Sequence, residues 1–285
     1  MAGIALISDK ALFDRRAWRL HRDRAAGIAI DFLHLEVGER LLDRLDLVNR
    51  EFFTALDLST GEGALTRRLA KRGGHIWGVV AEPSLRLAAL TPAPRVCADP
   101  ELIPFRDASF DLVASCLVLH WCTDLPGTLV QLRRVLKPDG LLLAAMLGGS
   151  TLVELRTALF EAELAEEGGV SPRVSPTTEL GDAAALLQRA GFAMPVADSE
   201  TITITYPDML ALMRDLRGMG ETNALAARRR FLSRATLARA GAIYAERFGD
   251  AEGRIPATFE ILFLTGWAPH PEHANARPGP RRRIG

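Results

Sequence analysis

Between Phe52 and Met146, short apolar runs alternate with helical stretches, and this alternation restricts the chain to one architecture above others. Phe52 to Leu58 is the first run. It ends at Asp57 and then Ser59-Thr60-Gly61-Glu62-Gly63, and a helical pattern follows through Arg72. Ile76 to Ala81 predicts a buried strand closed by Glu82-Pro83-Ser84, and after a short helix Arg95 to Asp99 predicts another. Phe110 to Cys116 and Leu141 to Met146 are two more. Between them lies a helix from Leu125 to Leu136, stopped by Lys137-Pro138-Asp139-Gly140. Strands and helices spaced this way predict an α/β fold, doubly wound around a mostly parallel sheet.

The flanks are read by the same rules. Phe13 to Arg24 is a basic helix with Phe13, Trp18 and Leu20 as apolar contacts, and it reads as a solvated helix packed on the domain. Leu35 to Leu45 places Val37, Leu41, Leu42 and Leu45 on one helical face. Past Gly148-Gly149 come helices from Leu152 to Glu167 and from Glu179 to Ala190. The alternating Thr201 to Thr205 is a half-buried strand. Helices over about Asp208–Met219 and Ser233–Phe248 precede a last strand, Phe259 to Trp267. No repeat or long Pro/Gly/Ser linker divides the chain. The expectation is one domain over 1–268, with a helical cap (1–50), a ligand-binding core (51–147) and a helical insertion (207–250), and a disordered tail over 269–285.

Composition narrows the function. Lys+Arg and Asp+Glu are both 35, so no broad basic surface points to a nucleic acid. Cys97, Cys116 and Cys122 cannot close a set of disulfides and have no zinc spacing, which fits a reducing cytoplasm. Gly3 to Ile7 is too short for a signal segment and Leu141 to Leu147 too short to span a bilayer. A cytoplasmic protein with no membrane span, at most peripheral to a membrane, is expected.

The chemistry concentrates at strand ends. Asp57 and the Gly61/Gly63 turn follow the first strand, where a turn into a helix lets backbone approach a ligand. Glu82 closes the second strand, the position of a ribose-binding acid, and Asp99 closes the third. One such acid alone could be a helix cap or a solvated strand end. Three at successive strand ends point to a nucleoside site.

This spacing resembles the class I S-adenosylmethionine-dependent methyltransferases, whose first loop reads D-x-G-x-G-x-G. Asp57, Gly61 and Gly63 match that loop, Glu82 the ribose-binding acid and Asp99 the adenine-side acid. Asp99 to Phe105, Phe110-Asp111-Leu112-Val113 and Arg134 to Gly140 also fit the superfamily. The resemblance extends to the complex I assembly factor 5 family through Phe13-Asp14-Arg15, Val37-Gly38-Glu39-Arg40, Leu119 to Pro126, Gly148 to Arg156, Glu167 to Pro176 and Tyr206 to Met209. Asp215-Leu216-Arg217-Gly218-Met219-Gly220-Glu221-Thr222-Asn223 is its most specific stretch, and Pro256 to Phe259 and Thr265-Gly266-Trp267 complete it. The resemblance implies a seven-stranded Rossmann-like sheet, S-adenosyl-L-methionine as cofactor, and a protein partner in an iron–sulfur subunit of complex I. In mitochondrial members the activity is hydroxylation of an arginine in that subunit. The lack of a presequence points to a bacterial-type member.

Two positions depart from the family. Ser59 stands where D-L-G-x-G has glycine, and its Cβ costs about 1 kcal/mol if φ must be positive. Ser150 stands where an acid usually follows Gly-Gly, which removes one charge-assisted hydrogen bond if that acid meets the substrate guanidinium. His120, after the fourth strand, is the candidate base or orienting group. Tyr206 can hydrogen-bond substrate or merely end a strand. Glu221 and Asn223 are candidates for the substrate mouth, whereas Met209, Met213 and Met219 read as core. The six histidines (His21, His34, His75, His120, His270 and His273) show no pair at iron-ligand spacing, so no metal site is expected. Methyl transfer needs mainly proximity and orientation. Residue chemistry therefore favours a methyl product, while the resemblance favours a hydroxyl. A malonyl-acyl-carrier or small-molecule methyltransferase and a catalytically silent assembly chaperone stand as alternatives.

Overall fold

The computed structural model describes residues 11–28, 30–58, 64–71, 77–91, 93–227 and 231–270. Ser59, Gly61, Gly63 and the tail from residue 271 lie outside the described residues. The chain forms two compact units. Met1–Ile30, Ser150–Thr177 and Thr201–Phe259 make one, and Asp31–Gly149, Thr178–Glu200 and Glu260–Gly285 the other.

In chain order the elements are α1 (Arg15–Ala25), α2 (Phe32–Asp46), β1 (Thr54–Leu58), α3 (Ala64–Lys71), β2 (Trp77–Ala81), α4 (Leu85–Leu90), β3 (Arg95–Val96) and β4 (Phe110–Cys116). There follow α5 (Leu125–Val135), β5 (Leu136–Leu147), α6 (Val153–Glu167), α7 (Leu180–Arg189), β6 (Ala193–Tyr206), α8 (Met209–Gly218), α9 (Arg234–Phe248) and β7 (Ile255–Trp267). The seven strands lie in the order β3-β2-β1-β4-β5-β7-β6. The first five are parallel neighbours, and β7 runs antiparallel to β5 with Leu141 opposite Trp267. The order reverses beside β1, whose neighbours are β2 and β4. Every residue of β4 is buried, as expected of a parallel strand covered on both faces.

The α/β expectation holds, and four boundaries move, the first being that of β3, which ends at Val96 and not at Asp99. β6 begins at Ala193 and β7 at Ile255, both ahead of the apolar runs that signalled them. Residues 193–200 of β6 are exposed or half-buried, so apolarity could not mark them, and Pro195 is tolerated because β6 lies at the sheet margin. β5 begins at Leu136, the residue on which the preceding helix is expected to end, and runs through the expected break. Leu136 pairs with Phe110 but Leu141 with Leu112, so the Lys137-Pro138-Asp139-Gly140 turn is a bulge within the ladder, with Asp139 at φ 58.

Ion pairs fasten helices to this sheet. Arg40 pairs with Glu36 (2.7 Å) and Glu200 (2.5 Å), and Arg44 with Asp198 (2.5 Å) and Glu200 (2.6 Å). The Arg44 guanidinium also lies 3.5 Å from the centre of the Phe263 ring. Asp111 accepts from Thr54 N (2.9 Å), Thr54 Oγ1 (2.8 Å) and Lys137 Nζ (3.1 Å). Burial pushes the Asp111 carboxyl up, but the bonds from Thr54 and Lys137 outweigh it and hold it below its ordinary range. These groups stand where β1 and β4 begin, so the superfamily-like Phe110-Asp111 serves the sheet rather than the chemistry.

Arg68 of α3 reaches back to α2. Its Nη1 donates to Leu35 O at 2.9 Å and its Nη2 pairs with Glu39 at 2.9 Å. Gly38 leaves the room, because a Cβ there would lie 3.0 Å from Nη1. Gly38→Ala gains helix propensity of about 1 kcal/mol but displaces the guanidinium. Denaturant unfolding should therefore show it to be neutral or destabilising alone and stabilising by about 1 kcal/mol in an Arg68→Ala background. Additivity across that cycle would show that Arg68 does not fill the space.

The other unit is mainly helical. Asp14 caps α1, accepting from Ala17 N at 2.9 Å. Trp18 is fully buried between the guanidiniums of Arg15 (5.0 Å) and Arg22 (5.6 Å). Leu20, expected as a core contact, is 43% exposed. Two residues beyond Trp18 it falls on the opposite face of the helix, and Arg22, a full turn on, is buried instead. Met209 and Met219 are core as expected, while Met213 is only half-buried. Glu163 of α6 accepts from Ser171 N (2.8 Å), Ser171 Oγ (2.8 Å), Arg173 Nε (2.8 Å) and Arg173 Nη2. Asn223 donates to Pro172 O at 3.1 Å and Arg173 O at 2.9 Å. Two family-specific stretches are thus bonded to each other, and the Asn223 amide is engaged in holding a loop.

Candidate active site at the strand ends

Parallel strands align their C-terminal ends, and four of the candidate residues stand there. Asp57 is the penultimate residue of β1, Glu82 follows β2, Asp99 comes three residues after β3, and His120 lies in a single 3-10 turn, Leu119–Trp121, after β4. Since β3, β2, β1 and β4 are neighbours in that order, the four share one edge of the sheet, at its topological switch.

Each acid is oriented by backbone. Asp57, fully buried, accepts from Thr66 N at 2.9 Å and Thr66 Oγ1 at 2.6 Å, tying the end of β1 to the first turn of α3. The Thr66 methyl lies under Gly78 of β2, where a Cβ would come within 3.0 Å of it. Glu82, also fully buried, accepts from Ser84 N at 2.9 Å, and Ser84 Oγ caps α4 by accepting from Leu87 N at 3.1 Å. Asp99 accepts from Glu101 N at 3.0 Å. The cap reading of a lone acid thus holds in part for Asp57 alone, since Glu82 and Asp99 each accept from a backbone N–H two residues on that is not part of a helix. These acceptors suit a nucleoside cofactor, since acids at the ends of adjacent strands can accept from ribose hydroxyls and the adenine side while backbone bonds hold them in place.

The turn carrying His120 is set by strain. Leu117 follows β4 at φ 55, in the left-handed region, which costs a non-glycine residue about 1–2 kcal/mol. Its burial and the bond from its N–H to Ala145 O at 2.8 Å hold it there. The chain then turns tightly through His120, whose ring centre lies 5.6 Å from that of Trp121, with both side chains buried.

Ser150 and Tyr206 belong to the other unit. Ser150 O accepts from Val153 N at 3.3 Å as α6 begins, with Leu152 at φ 54. Tyr206 is buried at the end of β6. Burial raises its phenol to about 12, and the Asp215 carboxylate beside it acts in the same direction, so it is neutral at physiological pH. Glu101 lies in the Asp99 to Phe105 stretch, where the sequence alone assigns it no role. It accepts from Thr123 N and from Asp124 N (3.0 Å), just after the His120 turn. Its place two residues past Asp99 was the available signal. Among the described residues, no three His, Cys, Asp or Glu side chains group as metal ligands do, and no helix is long and apolar enough to cross a membrane.

Residues 56–144 match the methyltransferase domain family. The chain is 43% identical over 271 residues to the mitochondrial arginine-hydroxylase NDUFAF5 of Danio rerio, covering 92% of this chain and 84% of the relative. It is 36% identical over 281 residues to a malonyl-[acyl-carrier protein] O-methyltransferase of a Methylovorus species, covering 93% and 92%. The YcgJ protein of Bacillus subtilis has the same fold at 14% identity and a TM-score of 0.56, covering 81% of this chain and 99% of its own.

Proposed function

The chain belongs to the arginine-hydroxylase NDUFAF5 family, on the fold of the class I S-adenosylmethionine-dependent methyltransferases, and from that premise we propose that it modifies an arginine of a protein substrate during respiratory complex I assembly. It is an enzyme of the methyltransferase type. The substrate of this reading is an iron–sulfur subunit of complex I, met in the cytoplasm, and the product is a hydroxyl on arginine, as the relative's name implies, a two-electron oxidation that takes its oxygen atom from dioxygen and releases water at the expense of a separate reductant. The identity extending through both units, well past the methyltransferase domain, carries the reading.

In this reading Glu82 takes the ribose hydroxyls, Asp99 the adenine side, and Asp57 acts indirectly by fixing α3. S-adenosyl-L-methionine, when bound, would supply an electrophilic methyl on a sulfonium, which is the chemistry of a methyl product and not the source of the hydroxyl oxygen. His120 holds or moves a proton beside the reacting end, at one of its ring nitrogens. Ser150 and Tyr206 serve the protein substrate.

Mass spectrometry of arginine-containing peptides of that iron–sulfur subunit, from cells with and without this protein, tests the reading. One added oxygen that vanishes in the deletion is the expected result. One added methylene that vanishes makes the enzyme a protein methyltransferase, and no difference overturns both. A second reading, methyl esterification of an acylated carrier protein, is favoured by the 36% identity over 92% of the Methylovorus enzyme. Turnover of malonyl-carrier protein would establish it.

A further inference from the structure

Two stretches flank the strand-end edge with no role yet assigned between them: Asp99 to Phe105, and the turn running from Leu119 into α5. The structure joins them at one side chain. Glu101 N donates to Asp99 at 3.0 Å, while Glu101 Oε1 accepts from Thr123 N and from Asp124 N at 3.0 Å. Gln131 of α5 repeats the tie, donating from Nε2 to Glu101 O at 2.7 Å and accepting from Ile103 N at 3.0 Å. Asp124 in turn caps α5 through Gly127 N at 2.8 Å, and Cys122 N closes the His120 turn on Leu119 O at 3.0 Å. The backbone that orients the Asp99 carboxylate is therefore the backbone of the residue that orients the end of the His120–Trp121 turn. The two N–H groups that Glu101 Oε1 accepts from, Thr123 and Asp124, lie three and four residues past His120.

We propose that Glu101 is a positioning residue that couples occupancy at Asp99 to the conformation of the His120–Trp121 turn. Its side chain is too short to follow Asp99 without carrying Thr123 and Asp124 along, and a carboxylate accepting two N–H groups makes the stronger class of hydrogen bond. A group that favours one arrangement of Asp99 then favours one arrangement of the turn, and the coupling is reciprocal in binding free energy. The inference rests on the nucleoside reading of Asp99.

The probe is S-adenosylhomocysteine, titrated by calorimetry and, in parallel, by tryptophan emission. A Trp121→Phe variant identifies the signal of the turn. Wild type is expected to bind with a change in emission that Trp121→Phe removes. Glu101→Gln, which keeps the acceptor oxygen, retains both. Glu101→Ala is expected to bind about 5- to 20-fold more weakly and, even at saturation, to lack the emission change. Glu101→Asp, too short by one methylene to reach both N–H groups, is expected to follow Ala and guards against an alanine variant that does not fold. If Ala and Asp bind as wild type does and keep the emission change, the coupling is wrong although the nucleoside site stands. If wild type does not bind the probe, the nucleoside reading falls and this inference falls with it.

Discussion

Glu82→Ala is expected to weaken binding of S-adenosylmethionine by about 10- to 150-fold while the protein stays folded. The magnitude follows from the loss of about 1.5–3 kcal/mol for hydrogen bonds to a charged group that ribose hydroxyls would form. Folding should suffer less, because Ser84 Oγ still caps α4 by accepting from Leu87 N when the bond from Ser84 N to Glu82 is lost. Glu82→Gln should fall between, since it keeps an acceptor but no charge. Calorimetric titration beside a thermal melt separates the two effects. Unchanged affinity with an unchanged melting temperature would remove Glu82 from the site.

The second large effect lies in the other unit. Glu163→Ala should destabilise the protein by about 3–4 kcal/mol, the cost of stranding one partner of a buried ion pair. The Glu163 side chain is 1% exposed and Arg173 16%, so the guanidinium left behind finds little water. Burial alone would push the Glu163 carboxyl up. The Ser171 N–H, the Arg173 guanidinium and the Ser171 hydroxyl together outweigh burial and hold it below its ordinary 4.5. A carboxyl lowered on folding contributes stability that is fully present above its unfolded value and is lost as pH falls through the folded value. Wild type should therefore lose stability on acidification below about pH 4.5 more steeply than Glu163→Gln. Parallel acid profiles in urea would exclude the ion pair as the cause.

Much of this was legible because parallel strands and the residues ending them leave strong marks. The positions of Asp57, Glu82 and Asp99 follow from their places at the ends of apolar runs, and the three stand on one edge of the sheet. What escaped was whatever depended on partners distant in sequence. Asp111 lies in a motif of the superfamily, yet its work is done with Thr54 and Lys137, 57 and 26 residues away. Asn223 reads from sequence as a candidate for the substrate mouth, but Pro172 O and Arg173 O claim its amide. Leu20 was placed inside by its hydrophobicity, although helical geometry favoured Arg22. The early start of β6 left no trace because a margin strand needs no apolar face. Glu101 was in plain view, but one residue cannot reveal from sequence that it bonds two loops.

The margins of the sheet carry a consequence for the protein at high concentration. A margin strand presents unpaired N–H and C=O groups on which another chain can grow a fibril. Here β3 is only two residues long, too short to template an added strand. At the opposite margin, Pro195 interrupts the donor row of β6, and Asp198 and Glu200 bring paired charges that a stacked copy would have to bury. The same arginines that fasten α2 to the sheet thereby help to keep one molecule from continuing the sheet of the next.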